Sequence, residues 1–92
     1  MKIYYSRKFA REYKKLPKNV KRLAEEREPV FRCNPFDPSL RTHHLDGKLK
    51  EYLSFSLDYR YRIIFEFDTK DSVWFHSIGT HDIYDLFITK QR

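Results

Sequence analysis

Polar and apolar positions keep a helical period in the first third of the chain and an extended one after it. Lys2-Ile3-Tyr4-Tyr5 is short, aromatic and β-branched, and predicts an opening strand. Ser6 then has the chemistry of a helix N-cap. Behind it Phe9, Tyr13 and Leu16 recur every three or four residues, with Arg7, Lys8, Arg11, Lys14 and Lys15 on the opposite side. This is an amphipathic helix ending before Pro17. Pro17 suits the opening of a second helix, whose apolar stripe is Val20, Leu23, Ala24, Val30 and Phe31. Pro29 removes one helical hydrogen bond, so a bend is expected over residues 25–29, with the helix finished by Asn34-Pro35.

After the turn-rich stretch 34–39 the period shortens. Residues 40–46 read as extended and Gly47 as a turn. Residues 51–57, 60–67 and 72–78 read as strands joined by tight turns at 57–60 and 68–71, which makes them an antiparallel meander. Residues 82–88 are expected to form a short terminal helix. The predicted architecture is α+β, in the order β-α-α-β-β-β, with two N-terminal helices on one face of a twisted, mainly antiparallel sheet.

Ninety-two residues make one domain, with 40% apolar and 17% aromatic content that excludes a disordered chain. The formal net charge is +6, and it is unevenly placed. Residues 1–50 carry 14 Lys/Arg against 6 Asp/Glu, whereas residues 51–92 carry 5 against 7. This points to an acidic partner, either nucleic acid or an acidic protein, against the plain alternative of a solvated basic face, and charge alone does not choose. The single cysteine, Cys33, cannot form an internal disulfide, which suits a reducing cytoplasm. No apolar stretch follows Met1 and no run approaches about 18 apolar residues, so neither a leader nor a membrane span is expected. His43, His44, His76 and His81 lack the paired spacing of a zinc site, and no cofactor is implied.

Three stretches in fixed order resemble the RelE/ParE toxin superfamily, especially its YafQ-like and RelE/StbE-like branches. They are Leu40-Arg41-Thr42-His43-His44-Leu45-Asp46-Gly47, Tyr61-Arg62-Ile63-Ile64-Phe65 and Ile78-Gly79-Thr80-His81-Asp82. The resemblance spans essentially the whole chain. It implies the toxin of a toxin–antitoxin pair, held by a cognate antitoxin; His43 and His81, a histidine pair that ParE-like proteins generally lack, favour the branch that cuts mRNA on the ribosome. The superfamily also contains gyrase poisons of the ParE type, and a catalytically inactive relative is the third reading.

Metal-free RNA cleavage needs a base for the 2′-hydroxyl, cations at the phosphate and an acid for the leaving oxygen. By resemblance His81 is catalytic, Arg62 contacts the scissile phosphate, and His43 belongs to the active site. Tyr84 stacks on a base or assists, with Phe87 as its rival. For Arg62 the structural alternative is a pair with Glu66 on the same strand face. Lys48, Lys50 and Arg60, with Lys14, Lys15, Lys18 and Lys21, are expected to attract RNA phosphates. The chain departs from its relatives on the strand at 52–57. Leu53 and Phe55 stand where RelE-type enzymes carry lysines, Ser56 replaces a YafQ-like histidine, and Arg60 replaces an aspartate.

Overall fold

The computed structural model describes residues 1–84. Strand β1 (Lys2–Tyr5) leads into helix α1 (Arg7–Lys14), capped as expected by the Ser6 hydroxyl, which accepts from the Phe9 amide at 3.0 Å. Helix α2 (Lys18–Cys33) follows, with the Pro17 carbonyl accepting from the amides of Val20 and Lys21. The helix assignment runs unbroken through Pro29. Pro29 and Glu25, whose carbonyl loses its helical donor, both lie on the exposed side. Beyond them Phe31 is fully buried against Phe55, Phe65 and Phe75, with ring centroids 4.7, 4.9 and 5.2 Å away. Burying such a ring contributes about 1.5–3 kcal/mol, comparable to the cost of roughly 3 kcal/mol for an interior proline.

The stretch expected to be extended from residue 40 begins later. Pro38–Leu40 forms a 3-10 turn that buries Leu40, and Arg41 is left-handed at φ 52°. Only His43–His44 pair as strand β2. A second 3-10 turn, Gly47–Leu49, leads into β3 (Tyr52–Ser56), β4 (Arg62–Thr69) and β5 (Ser72–Gly79). The sheet order is β1-β5-β4-β3-β2. The meander is antiparallel, and β1 lies parallel to β5 at one edge.

Alternation divides the sheet into two faces. Leu53, Phe55, Ile63, Phe65, Val73 and Phe75 face the helices and close the main core with Phe9, Val20 and Phe31. The opposite face carries Tyr52, Ser54 and Ser56 from β3 and Arg62, Ile64 and Glu66 from β4. On this face Ile64 is fully buried beneath Ile83, with Leu45, Leu49, Tyr52 and Tyr84 packed around them. Ile64 pairs with Ser77 and Phe65 with Phe75, so His76 is a bulged residue between them.

Among the described residues, no helix is long and apolar enough to cross a membrane. The expected terminal helix begins at residues 82–84; its continuation to residue 88 and the candidate Phe87 lie outside the described residues.

Candidate active site

Gly79 determines how the chain leaves β5. A Cβ there would lie 2.5 Å from Cγ2 of Ile83, so only glycine lets the chain double back closely enough to seat Ile83 on Ile64. The amide of Ile83 donates to the Thr80 carbonyl at 3.0 Å and that of Tyr84 to the His81 carbonyl at 3.1 Å. This turn carries His81 and Tyr84 back to the open face of the sheet.

There the register places Arg62 between Ser56 on β3 and Gly79 on β5. Its Nη1 donates to Ser56 Oγ at 2.6 Å, and its Nη2 reaches His81 Nε2 at 3.0 Å. A guanidinium has no acceptor, so Nε2 offers its lone pair and a neutral His81 ring carries its proton on Nδ1. Glu66 is not the partner of Arg62. It lies 2.9 Å from His76 Nε2 instead. The Tyr84 hydroxyl shares a 2.7 Å hydrogen bond with Ser54 Oγ, and its ring centroid is 5.7 Å from that of His81.

His43 pairs with Ser54 and so belongs to the same face. Its Nδ1 lies 3.1 Å from the Arg41 carbonyl, and His44 Nδ1 lies 2.8 Å from the Lys50 carbonyl. Carbonyls only accept, so both Nδ1 atoms donate; in the neutral rings both Nε2 atoms are acceptors. His43, His44, Leu45, Asp46, Leu49 and Tyr84 line a hollow of about 260 Å³.

Four sequence candidates, Arg62, His81, Tyr84 and His43, thus share one face, linked through Ser54 and Ser56. The hollow is lined by neither Arg62 nor His81, whose side chains touch directly; it meets their cluster through Tyr84, whose ring centroid lies 5.7 Å from that of His81. Arg60 is exposed in the β3–β4 turn, its guanidinium 5.8 Å from the Tyr61 ring centre. Lys50 is exposed at the opposite end of β3, and the Lys48 side chain lies outside the described part of the structure. Lys14, Lys15, Lys18 and Lys21 belong to the helix layer, across the sheet from Arg62. They do not line this site.

Ser54, Ser56 and Glu12 were not candidates from sequence. Ser56 had a signal, since the resemblance sets it against a histidine of YafQ-like proteins. Glu12 acts from α1 on the outer edge of β5, where β1 has already ended. Its Oε1 accepts from Ser77 Oγ at 2.8 Å and from the Ile78 amide at 3.2 Å, while Lys8 Nζ lies 2.9 Å from Oε2.

A larger hollow of about 360 Å³ lies on the helix side, walled mainly by apolar residues including Phe9, Tyr13, Ala24 and Ile63. It contains none of the candidate residues. At its mouth the Tyr5 hydroxyl donates to Glu28, and burial, reinforced by that carboxylate, pushes the phenol up to about 12. No group of three His, Cys, Asp or Glu among the described residues is placed to hold a metal ion.

Neither a protein-family model nor a curated protein sequence matches the chain. Solved structures do. YafQ from Escherichia coli strain BL21(DE3) superposes with a TM-score of 0.74 at 20% identity, over 89% of this chain and 94% of that one. The chain has the RelE/ParE toxin fold. A YoeB/ParE toxin from Agrobacterium tumefaciens matches with a TM-score of 0.74 at 13% identity, over 88% of this chain and 99% of that one. The YoeB–YefM complex from Staphylococcus aureus gives 0.72 at 18% identity, over 88% and 97%. Identities this low carry the RelE/ParE fold without carrying an activity.

Proposed function

We propose that this protein is the toxin of a type II toxin–antitoxin pair and a ribosome-dependent mRNA endoribonuclease working in the cytoplasm without a metal. The observation that carries the reading is the fork of Arg62 held between Ser56 and His81 on the face left open by the helices. An arginine with three directed donors, in contact with one imidazole and on the same sheet face as a second, is suited to an RNA phosphate.

In this reading the scissile phosphate takes the Arg62 donors that His81 occupies in the free protein. His43 Nε2, an acceptor in the neutral ring, draws the proton from the 2′-hydroxyl. The 2′-oxygen attacks phosphorus and the bond to the 5′-oxygen breaks. His81, in its imidazolium form, gives its proton to that leaving oxygen. The products are a 2′,3′-cyclic phosphate and a 5′-hydroxyl. Tyr84, held by Ser54, stacks near the reacting nucleotide, and Arg60, Lys48 and Lys50 attract the flanking phosphates.

The proposed protein partner is a cognate antitoxin. Solved relatives include a DinJ–YafQ toxin–antitoxin complex from E. coli and the YoeB–YefM complex. An acidic antitoxin complements a chain of net charge +6.

Incubating the protein with programmed ribosomes, and separately with gyrase and plasmid, tests the reading. Cleaved mRNA bearing a cyclic phosphate is expected, lost on His81→Ala while antitoxin binding persists. Cleaved plasmid with intact mRNA would identify a gyrase poison instead.

A further inference from the structure

The hollow that adjoins the site through His43 and Tyr84 also holds groups that the cleavage scheme does not use, His44, Leu45, Asp46 and Leu49. Three of its walls, Leu45, Leu49 and Tyr84, are apolar or aromatic, as a flat heterocycle requires. Its polar groups are His43, His44 and Asp46. Because both histidine Nδ1 atoms donate to backbone carbonyls, each neutral ring has only its Nε2 lone pair left to offer. The Asp46 carboxylate adds two acceptor oxygens. The side-chain rim is therefore rich in acceptors.

The order of residues along the sheet gives this rim a direction. His43 is opposite Ser54, His44 is opposite Leu53, and the Leu45 amide donates to the Tyr52 carbonyl. Ser56, at the other end of β3, is opposite Arg62. Passing from the guanidinium into the hollow, one meets His43 first and Asp46 last. A nucleotide laid along that line has its phosphate at Arg62, its ribose at His43 and its base against Leu49 and Asp46.

We infer that the hollow is a nucleobase subsite selective for guanine, with Asp46 reading the base edge. Guanine presents two adjacent donors, N1–H and the N2 amino group, which match the two oxygens of a carboxylate. Adenine and cytosine each place a ring acceptor beside their amino group, and that acceptor would face the acceptors of the rim. Uracil flanks its one N–H with two carbonyls. A buried-edge mismatch of this kind leaves polar groups unpaired, which discriminates more strongly than a missing contact. The assignment rests on the ribonuclease reading for its biological meaning, since only that reading supplies RNA to this face.

The test separates the two. The isotopically labelled, antitoxin-free protein is titrated with 5′-GMP and with 5′-AMP, and the imidazole signals of His43 and His44 and the amides of Asp46 and Leu49 are followed by NMR. GMP is expected to bind about fivefold or more tighter than AMP, the lower end of what a paired base contact contributes. Its shifts should be confined to the hollow and to Arg62. Asp46→Asn should abolish the preference, whereas Arg62→Ala should weaken both nucleotides and keep their ratio. Equal affinities, shifts confined to the helix lysines, or a preference that survives Asp46→Asn would each overturn the subsite. Cleavage mapping on ribosomes supplies the other arm. Cleavage without a guanine preference sinks the subsite and leaves the nuclease; a GMP preference in a protein that cuts no RNA keeps the subsite and sinks the nuclease.

Discussion

The guanidinium of Arg62 holds His81 by its Nε2 atom, at 3.0 Å, from a strand that precedes it by 19 residues. The same guanidinium holds Ser56 at 2.6 Å, so one side chain fixes the imidazole to both β4 and β3. Lysine is no substitute for this fork. Its ammonium is a single charge on a flexible stem, without the planar pair of donors. Arg62→Lys should retain net charge and fold, yet lower mRNA cleavage about 10²-fold, the typical effect of removing one preorganised donor. Single-turnover cleavage on programmed ribosomes, with urea unfolding as control, measures both. A variant that keeps full activity would remove Arg62 from the phosphate.

Glycine at position 79 is a steric requirement. The Cβ of Gly79→Ala would meet Ile83 Cγ2 at 2.5 Å, and Ile83 cannot retreat without uncovering Ile64. The substitution should destabilise the fold by about 1–3 kcal/mol, as overpacking does. It should also shift the NMR signals of His81 and Tyr84. Trimming the opposing side chain, in Gly79→Ala with Ile83→Ala, removes the clash, so the double variant should be less destabilised than the sum of its parts. Strict additivity in chemical denaturation would refute the contact.

How far all this could be read from the residue order depends on whether a signal is local. The Ser6 cap, the helical stripe from Phe9 and the turns around residues 57–60 and 68–71 involve near neighbours, and their elements form close to where the pattern puts them. Asn34-Pro35 ends the second helix where the pattern puts it, and the packing of Phe31, which is tertiary, carries the helix on past Pro29. Likewise Arg41 takes a left-handed conformation that delays the expected extended run until His43. The parallel place of β1 beside β5 joins residues about 70 apart, and no periodicity reveals such a pairing. Of the candidate site, the imidazoles and the arginine were picked out by the motifs that carry the resemblance. Ser54, Ser56 and Glu12 were not, since small or common polar residues acquire a role only through the register that surrounds them.

Glu12 illustrates the point and can be tested. It supplies the acceptor that a further strand would have given to the edge of β5, binding the Ile78 amide and the fully buried Ser77 hydroxyl just before the strand reaches Gly79. Glu12→Ala leaves both donors without this acceptor, at a cost of about 1–3 kcal/mol for each group left unsatisfied. Glu12→Gln keeps an amide oxygen for them and should recover most of that stability, though it loses the pairing with Lys8. Hydrogen exchange at Ile78 is the direct measurement. Its protection should fall in the alanine variant and return with glutamine. Equal protection in all three proteins would show that the amide is held by something else.

Tyr5 makes the alkaline limit of stability predictable. In the fold its phenol is raised to about 12 from an ordinary 10.0, through burial first and the Glu28 carboxylate second. The folded state therefore keeps its proton over a range in which the unfolded chain loses it. The stabilising contribution is complete below about pH 10 and disappears as pH rises toward about 12. Tyr13 and Tyr52 are raised in the same direction, chiefly by burial and then by nearby glutamates, so the loss is shared among three phenols. Urea midpoints measured across this window should fall for the parent protein and fall less steeply for Tyr5→Phe, which has no proton to lose at that position. If the two curves run parallel, Tyr5 ionises equally in both states, and its contact with Glu28 does not persist in solution.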